Sequence, residues 1–409
     1  MIYFDYAGST PVREELAFLY SKINQEAFAN PSSTHRYGQK SKEYLELSRY
    51  SVAQLLGVKS NQVYFLSTAT EANNLAIIGL IEEFNFNNKP ILSSPKTAQQ
   101  QKQPHVLVSA IEHDSVLSIA KKRNINIAFK TFPVKENGIV DINDIISRIE
   151  PETILISLML VNNEIGTIQP VADLSKILVG INIERQKQGL TRVYLHSDCV
   201  QAPLFLSVNI ADLGVDFMTL SGHKMYSHKG TALLYIKNNI KIEPQVFGGG
   251  QENTLRSGTQ NVASIVCFAK ALELAQANKN SFSNQLKKIR DYGIVEIKKS
   301  LPEAILNGYW LETSSLNNSQ DLRIANNINF SFPHFDQQSL LTFLDMRGIC
   351  VTSGSSCHSG ASQSISHVIQ AIDKTRVTRA NLRISLGQDS NIDEINQLIK
   401  SLLEFKKII

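Results

Sequence analysis

Cysteine is scarce in this sequence: Cys199, Cys267, Cys350 and Cys357 are the only ones in 409 residues, and no two form a CxxC pair. That spacing argues against a disulfide framework and against a zinc site, and it fits a reducing compartment. Apolar runs of the ~20 residues needed to cross a bilayer are missing as well, so no membrane association is expected. Nor is charge of one sign in excess. The 41 Lys and Arg against 37 Asp and Glu leave +4, too little in a chain of this length to point to nucleic acid. Met1 is followed at once by Ile2-Tyr3-Phe4, with no basic start, long apolar core or cleavage site. The expectation is a cytoplasmic protein without a signal or transit peptide. What is present is an ordinary globular composition, 43% hydrophobic and 19% charged, in a chain long enough for a large core and two domains.

Six apolar runs read as strands: 63–66, 106–108, 154–160, 193–195, 217–220 and 232–236. Helical periodicity lies between several of them, as at 40–56 and 73–84. Near-continuous apolar strands alternating with helices predict an α/β fold whose mostly parallel sheet is covered on both faces. Residues 85–104, rich in Asn, Gln, Lys and Pro, interrupt the alternation and read as a surface insertion. After about residue 261 the style changes. Helical stretches at 269–276 and 284–300 precede a strand at 328–332. The last helix, 392–405, gathers Ile392, Ile395, Leu398, Ile399, Leu402 and Leu403 on one face, with Ser390 and Asp393 as its capping box. The division expected is a large domain over 15–261 and a smaller α+β domain from 1–14 and 262–409.

Chemistry-bearing groups cluster where these strands end. Lys224 stands in Ser221-Gly222-His223-Lys224-Met225, directly after the strand 217–220. Asp198 closes another apolar run, with Gln201 three residues on. A lysine able to form a Schiff base and a carboxylate able to pair with a pyridinium nitrogen are the minimum for a pyridoxal phosphate enzyme. On its own Lys224 reads better as a surface lysine in a polar turn. Ser67 to Asn74 opens a helix after the strand 63–66, which makes an anion site of free N–H groups and helix dipole, although Ser67 or Thr70 can equally be plain N-caps. His113 follows the strand 106–108 and Asn163 the strand 154–160. A lone histidine is more often a cap or a core group. Five motifs at C-terminal strand ends nevertheless share the edge where a parallel sheet presents its ligands.

These motifs, in their order, resemble the class V aminotransferase-fold enzymes, and within them the cysteine desulfurases. The resemblance runs through Asp5-Tyr6-Ala7-Gly8-Ser9-Thr10-Pro11, Asn30-Pro31-Ser32-Ser33-Thr34-His35, the 69–74 helix start and Glu112-His113. It continues through Val161–Gly166, Asp198 with Gln201, Ser221–Lys224, Arg256-Ser257-Gly258-Thr259, Ser353–Cys357 and Arg383–Gly387, nearly the whole chain. It implies a PLP-dependent transferase of fold type I, with a seven-stranded sheet in the large domain and pyridoxal 5'-phosphate as cofactor. Lys224 would be the lysine that binds the cofactor, Asp198 the partner of its ring nitrogen and His113 the ring stacked on it. Gln201 and Asn163 would bond the phenolic oxygen. The backbone of Ala69, with Thr70, Ser221 and His223, would hold the phosphate, and Thr259 would reach the phosphate of a neighbouring subunit in a homodimer. Arg383 would clamp the substrate carboxylate, with Asn163 and Asn30 beside the substrate.

Cys357 would be the nucleophile that takes sulfur from L-cysteine as a persulfide and leaves L-alanine. It lies among small polar residues, Thr352 to Gly360, and 25 residues separate it from Arg383, as in the long-loop branch that passes sulfur to acceptor proteins for iron–sulfur clusters or other sulfur cofactors. Tyr6, Gly8, Thr68 and His358 depart from the family pattern without removing a catalytic group, and the extended C-terminal tail of that branch looks absent. Two other readings belong with this one. A selenocysteine lyase or cystine C–S lyase would share the fold and need no nucleophilic cysteine, and a non-catalytic sulfur carrier or scaffold would have lost the chemistry.

Overall fold

A computed structural model describes residues 1–87, 103–121, 126–311, 321–354 and 366–408. In chain order its strands are β1 (Ile2–Tyr3), β2 (Val63–Leu66), β3 (His105–Ser109), β4 (Ala128–Phe132), β5 (Thr153–Ser157), β6 (Tyr194–Asp198), β7 (Phe217–Ser221), β8 (Ala232–Ile236), β9 (Ile305–Leu306), β10 (Asn327–Phe332), β11 (Ile349–Cys350) and β12 (Ala380–Ser385). Seven of them form the central sheet in the order β2-β8-β7-β6-β5-β3-β4. Only β8 runs against its neighbours, β2 and β7. The C-terminal ends of the other six therefore lie along one edge. A three-stranded antiparallel sheet, β12-β10-β9, and the short parallel pair of β1 with β11 complete the strands.

Period-two alternation sends side chains to both faces of the central sheet. Leu107, Ile156, Leu195 and Met218 join one large core cluster, and Val106, Leu155, Phe217 and Leu234 join a second. Each fully buried side chain of this kind contributes roughly 1.5–3 kcal/mol. The sheet agrees with the alternation read from the sequence and corrects it at particular places. Strand β4 was not among the six runs: Ala128-Phe129-Lys130-Thr131-Phe132 is a sheet edge with only Phe132 buried, so it lacks the apolar continuity of its neighbours. Strand β5 ends at Ser157, three residues before the end of the apolar run read from the sequence.

The helices at 269–276 and 284–300 are one helix, Val262–Ser300. The Asn and Ser residues between the two stretches lower helix propensity without breaking the helix, because no proline interrupts it and its flanks are tied down by packing. It lies against helices Glu14–Glu26, Arg36–Leu56 and Ile392–Lys406. The last of these is capped one residue later than its sequence suggests. Asn391 accepts from the N–H of Glu394, whose carboxylate returns to the N–H of Asn391. Ser390 is buried and accepts instead from the N–H of Gly387.

Candidate active site

Where the C-terminal ends of β2, β3, β5, β6 and β7 converge, they border a cavity of about 480 Å³. Strand β7 ends at Ser221, and a single 3-10 turn, Gly222–Lys224, swings the lysine into it. Lys224 Nζ donates to the carbonyl oxygens of Ala7 and Gly8 at 2.5 and 2.6 Å, so the N-terminal segment folds across this edge. A Cβ at Gly8 would stand 2.4 Å from an Asp5 carboxylate oxygen, so the Asp5 side chain would have to shift to admit one. Gln201 also donates to the Ala7 carbonyl, at 3.0 Å.

Asp198, the last residue of β6, is buried yet faces the cavity. Its carboxylate accepts from Asn73 Nδ2 at 2.8 Å and from the N–H of Val200 at 3.0 Å. His113 also lines the cavity and caps the short helix Asp114–Leu117. The cap and the site reading of this histidine therefore coexist.

At the far end, Thr68, Ala69 and Thr70 present the start of helix Ala69–Asn87, beside Ser221 and His223. Thr68 supplies the cap expected of Ser67 or Thr70, its hydroxyl accepting from the N–H of Glu71. Ser67 accepts instead from Arg256, whose guanidinium also pairs with Glu71. Burial, reinforced by the charges of Lys224 and Lys229, holds His223 down at about 4. Near neutral pH it is an uncharged imidazole.

Arg383, from β12, closes the cavity and is almost completely buried. It donates to the Asn163 carbonyl at 3.0 Å and pairs with Asp5 at 2.6 Å. Its Nε is buried with no partner among the described residues. Asn163 lines the same cavity. Two expected residues are elsewhere: Asn30 is exposed and accepts from the N–H of Ser32, and Thr259 is exposed outside this cavity. Cys357 and His358 lie outside the described residues, as does most of the 85–104 insertion. Gly354, three residues before Cys357, does border the cavity.

Sequence reasoning missed four groups here, three of them buried. Asn73 belongs to a motif read only as a phosphate loop, yet a fully buried asparagine inside a helix is itself a signal, since asparagine is a poor helix former. Asp5 was read as part of the resemblance without a role. Glu112 is fully buried, and desolvation, with the Asp198 charge second, pushes its carboxyl up to about 8. Glu164 is raised by burial too and accepts from Ser366 at 2.6 Å. A lysine amine, a carboxylate and a helix N-terminus around one cavity fit a cofactor with an aldehyde, a ring nitrogen and a phosphate.

The chain belongs to the class V aminotransferase family, which it matches over residues 2–398. It is 36% identical to the cysteine desulfurase IscS of Dictyoglomus turgidum, over 98% of this chain and 93% of that protein. It is 30% identical to a selenocysteine lyase of Xenopus laevis, over 100% of this chain and 95% of that one. The solved structure of a NifS-like protein superposes with a TM-score of 0.83 at 27% identity, over the full length of both chains. The cysteine desulfurases of this family are PLP-dependent, with the type I fold seen here.

Proposed function

We propose that the chain is a cysteine desulfurase that converts L-cysteine to L-alanine and transfers the sulfur to Cys357 as a persulfide. The observation that carries this reading is that Lys224, Asp198, His113, Gln201 and Arg383 line the same cavity as Gly354, where the chain leads to Cys357. Lys224 would hold pyridoxal phosphate, with Asp198 at its ring nitrogen, Gln201 and Asn163 at its phenolic oxygen, and Ala69, Thr70, Ser221 and His223 at its phosphate. Bound there, the group supplies an electron sink for charge developing at the substrate Cα. Arg383 orients the substrate carboxylate, a task suited to a planar guanidinium. Lys224 Nζ takes the Cα proton. The Cys357 thiolate would attack the substrate sulfur, forming an S–S bond as the Cβ–S bond breaks, and alanine forms once Cβ gains a proton and Cα recovers the one that Lys224 Nζ took.

The other buried thiols are poor candidates. Desolvation raises Cys199 well above the usual thiol range and Cys267 to about 12. The reading extends to a homodimer in the cytoplasm with its small domain formed by 1–14 and 262–409, and to an acceptor protein that carries the sulfur towards iron–sulfur clusters or another sulfur cofactor. The described cysteines are free, which suits a reducing compartment. Exposed Phe18, Phe28 and Phe247, together with Thr259 exposed outside its own cavity, suit a second subunit.

The test is Cys357→Ala, assayed with cysteine and a reductant while mass spectrometry follows the wild-type Cys357. Sulfide release should collapse by at least about a hundredfold, and the wild-type thiol should carry one extra sulfur. Undiminished alanine formation by the variant would identify a lyase of the selenocysteine lyase kind instead.

A further inference from the structure

Behind the cavity wall, a buried chain of hydrogen bonds joins His113 to Asp198. Its members come from three elements. Asn73 lies in the helix after β2 and is fully buried; Ser115 follows β3 and is nearly so; Asp198 ends β6. Asn73 Nδ2 donates one hydrogen to Asp198 Oδ2 at 2.8 Å and the other to Ser115 Oγ at 2.9 Å. The orientation of the Asn73 amide follows from its neighbour. A carboxylate accepts only, so the NH2 must face it, even though this leaves Asn73 Oδ1 buried with no partner among the described residues.

Ser115 then acts twice on the histidine. Its backbone N–H donates to His113 Nδ1 at 3.1 Å, and its hydroxyl stands 2.9 Å from the same nitrogen. Having accepted from Asn73, that hydroxyl has its hydrogen available for Nδ1. A backbone N–H cannot reverse its role, so Nδ1 is an acceptor and carries no proton. The ring is therefore neutral with its proton on Nε2.

We infer that Ser115 and Asn73 are positioning residues for the reaction. Ser115 locks His113 in the Nε2–H tautomer, which makes the ring a hydrogen-bond donor at the cavity wall, and Asn73 ties that donor to the carboxylate of Asp198. This rests on the desulfurase reading of the cavity, but it assigns His113 a definite protonation state that the reading does not require. The donor faces a substrate whose sulfur leaves and whose Cβ must gain a proton. His113 can therefore donate a hydrogen bond from Nε2 to the departing sulfur without breaking its Nδ1 contacts.

The test separates the tautomer from the activity. Full-length protein labelled with 15N-histidine, with and without pyridoxal phosphate, is examined by long-range 1H–15N correlation, and His113 is assigned by the signal lost in His113→Gln. The expected result is a protonated Nε2 and an unprotonated Nδ1 in both states. A proton on Nδ1 overturns the inference and leaves the desulfurase reading standing. Ser115→Ala keeps the backbone donor and removes the hydroxyl link. It should keep the tautomer while kcat falls about tenfold with KM little changed, and Ser115→Thr should restore most of the loss. Wild-type kcat in Ser115→Ala across the pH range also overturns it.

Discussion

Glu112 shows how much a single buried group can reveal. It is fully buried between a strand end and His113, and one carboxyl oxygen accepts from the N–H of Met159 at 2.6 Å. Its other oxygen is buried without a partner among the described residues. Desolvation is the main reason that it titrates at about 8 rather than in the usual carboxylate range. The native protein therefore keeps a proton that the unfolded chain releases above about 4.5. The stability from this group is complete below that pH and is lost as pH rises towards 8, roughly 5 kcal/mol at most. The buried His196 and the half-buried His223, both pushed down to about 4, act in the opposite direction between pH 4 and 6.5. Comparison of wild type with Glu112→Gln isolates the carboxyl. In urea unfolding at pH 5 and pH 8, the wild type should lose stability relative to the variant at the higher pH. Equal differences at both pH values would place the Glu112 carboxyl in the ordinary range.

At the scale of elements, the segment 252–254 holds the most strained backbone in the described chain. Glu252, Asn253 and Thr254 take positive φ values of 47°, 55° and 68° in succession, and none is glycine. Such a run persists only where its surroundings over-determine it. Here the Glu252 carboxylate accepts from both Arg49 amino groups at 2.7 and 2.9 Å, from the N–H of Phe65 at 2.9 Å and from Gln260 at 3.1 Å. Glu252→Ala leaves the Arg49 guanidinium buried without its partner and should cost about 3–5 kcal/mol, read from the shift in urea midpoint. A loss under about 1 kcal/mol would mean that the pair behaves like an exposed one. No sequence pattern announced this turn, because the pairing spans 203 residues. What could be read locally was read well: the apolar strands and the polar strand ends behind them. Strand β4, the continuous helix Val262–Ser300 and the cap at Asn391 were not, since edge exposure, tertiary support and rival serine contacts decide them. In the site, Lys224, Asp198 and His113 were legible because each ends a recognisable strand. Asn73, Glu164 and Asp5 were not, because their roles depend on partners far along the chain.

For the whole molecule, the proposed dimer would need a surface that exposed apolar side chains could supply. Phe28 and Phe247 are 65% and 82% exposed, and Phe18 is 73% exposed. Phe28 pairs with the exposed Tyr37 at 5.1 Å between ring centroids. Scattered exposed hydrophobic residues need no explanation, but an exposed aromatic pair such as Phe28 with Tyr37 suits a contact surface. Phe247 is anchored to the Thr259 segment, since Val246 bridges Arg256. Arg256 in turn ties Glu71 and Ser67 to that segment, at the phosphate end of the cavity. A subunit contact at Phe247 would therefore also set how firmly the cofactor's phosphate is held, with Thr259 reaching across. Phe247→Asp should shift the protein from dimer to monomer in sedimentation at micromolar concentration. It should also release pyridoxal phosphate more readily on gel filtration, and both effects should appear without loss of the folded far-UV spectrum. A wild-type protein that sediments as a monomer with full activity would refute the dimer. A Phe247→Asp dimer that keeps its cofactor would move the contact surface away from this residue.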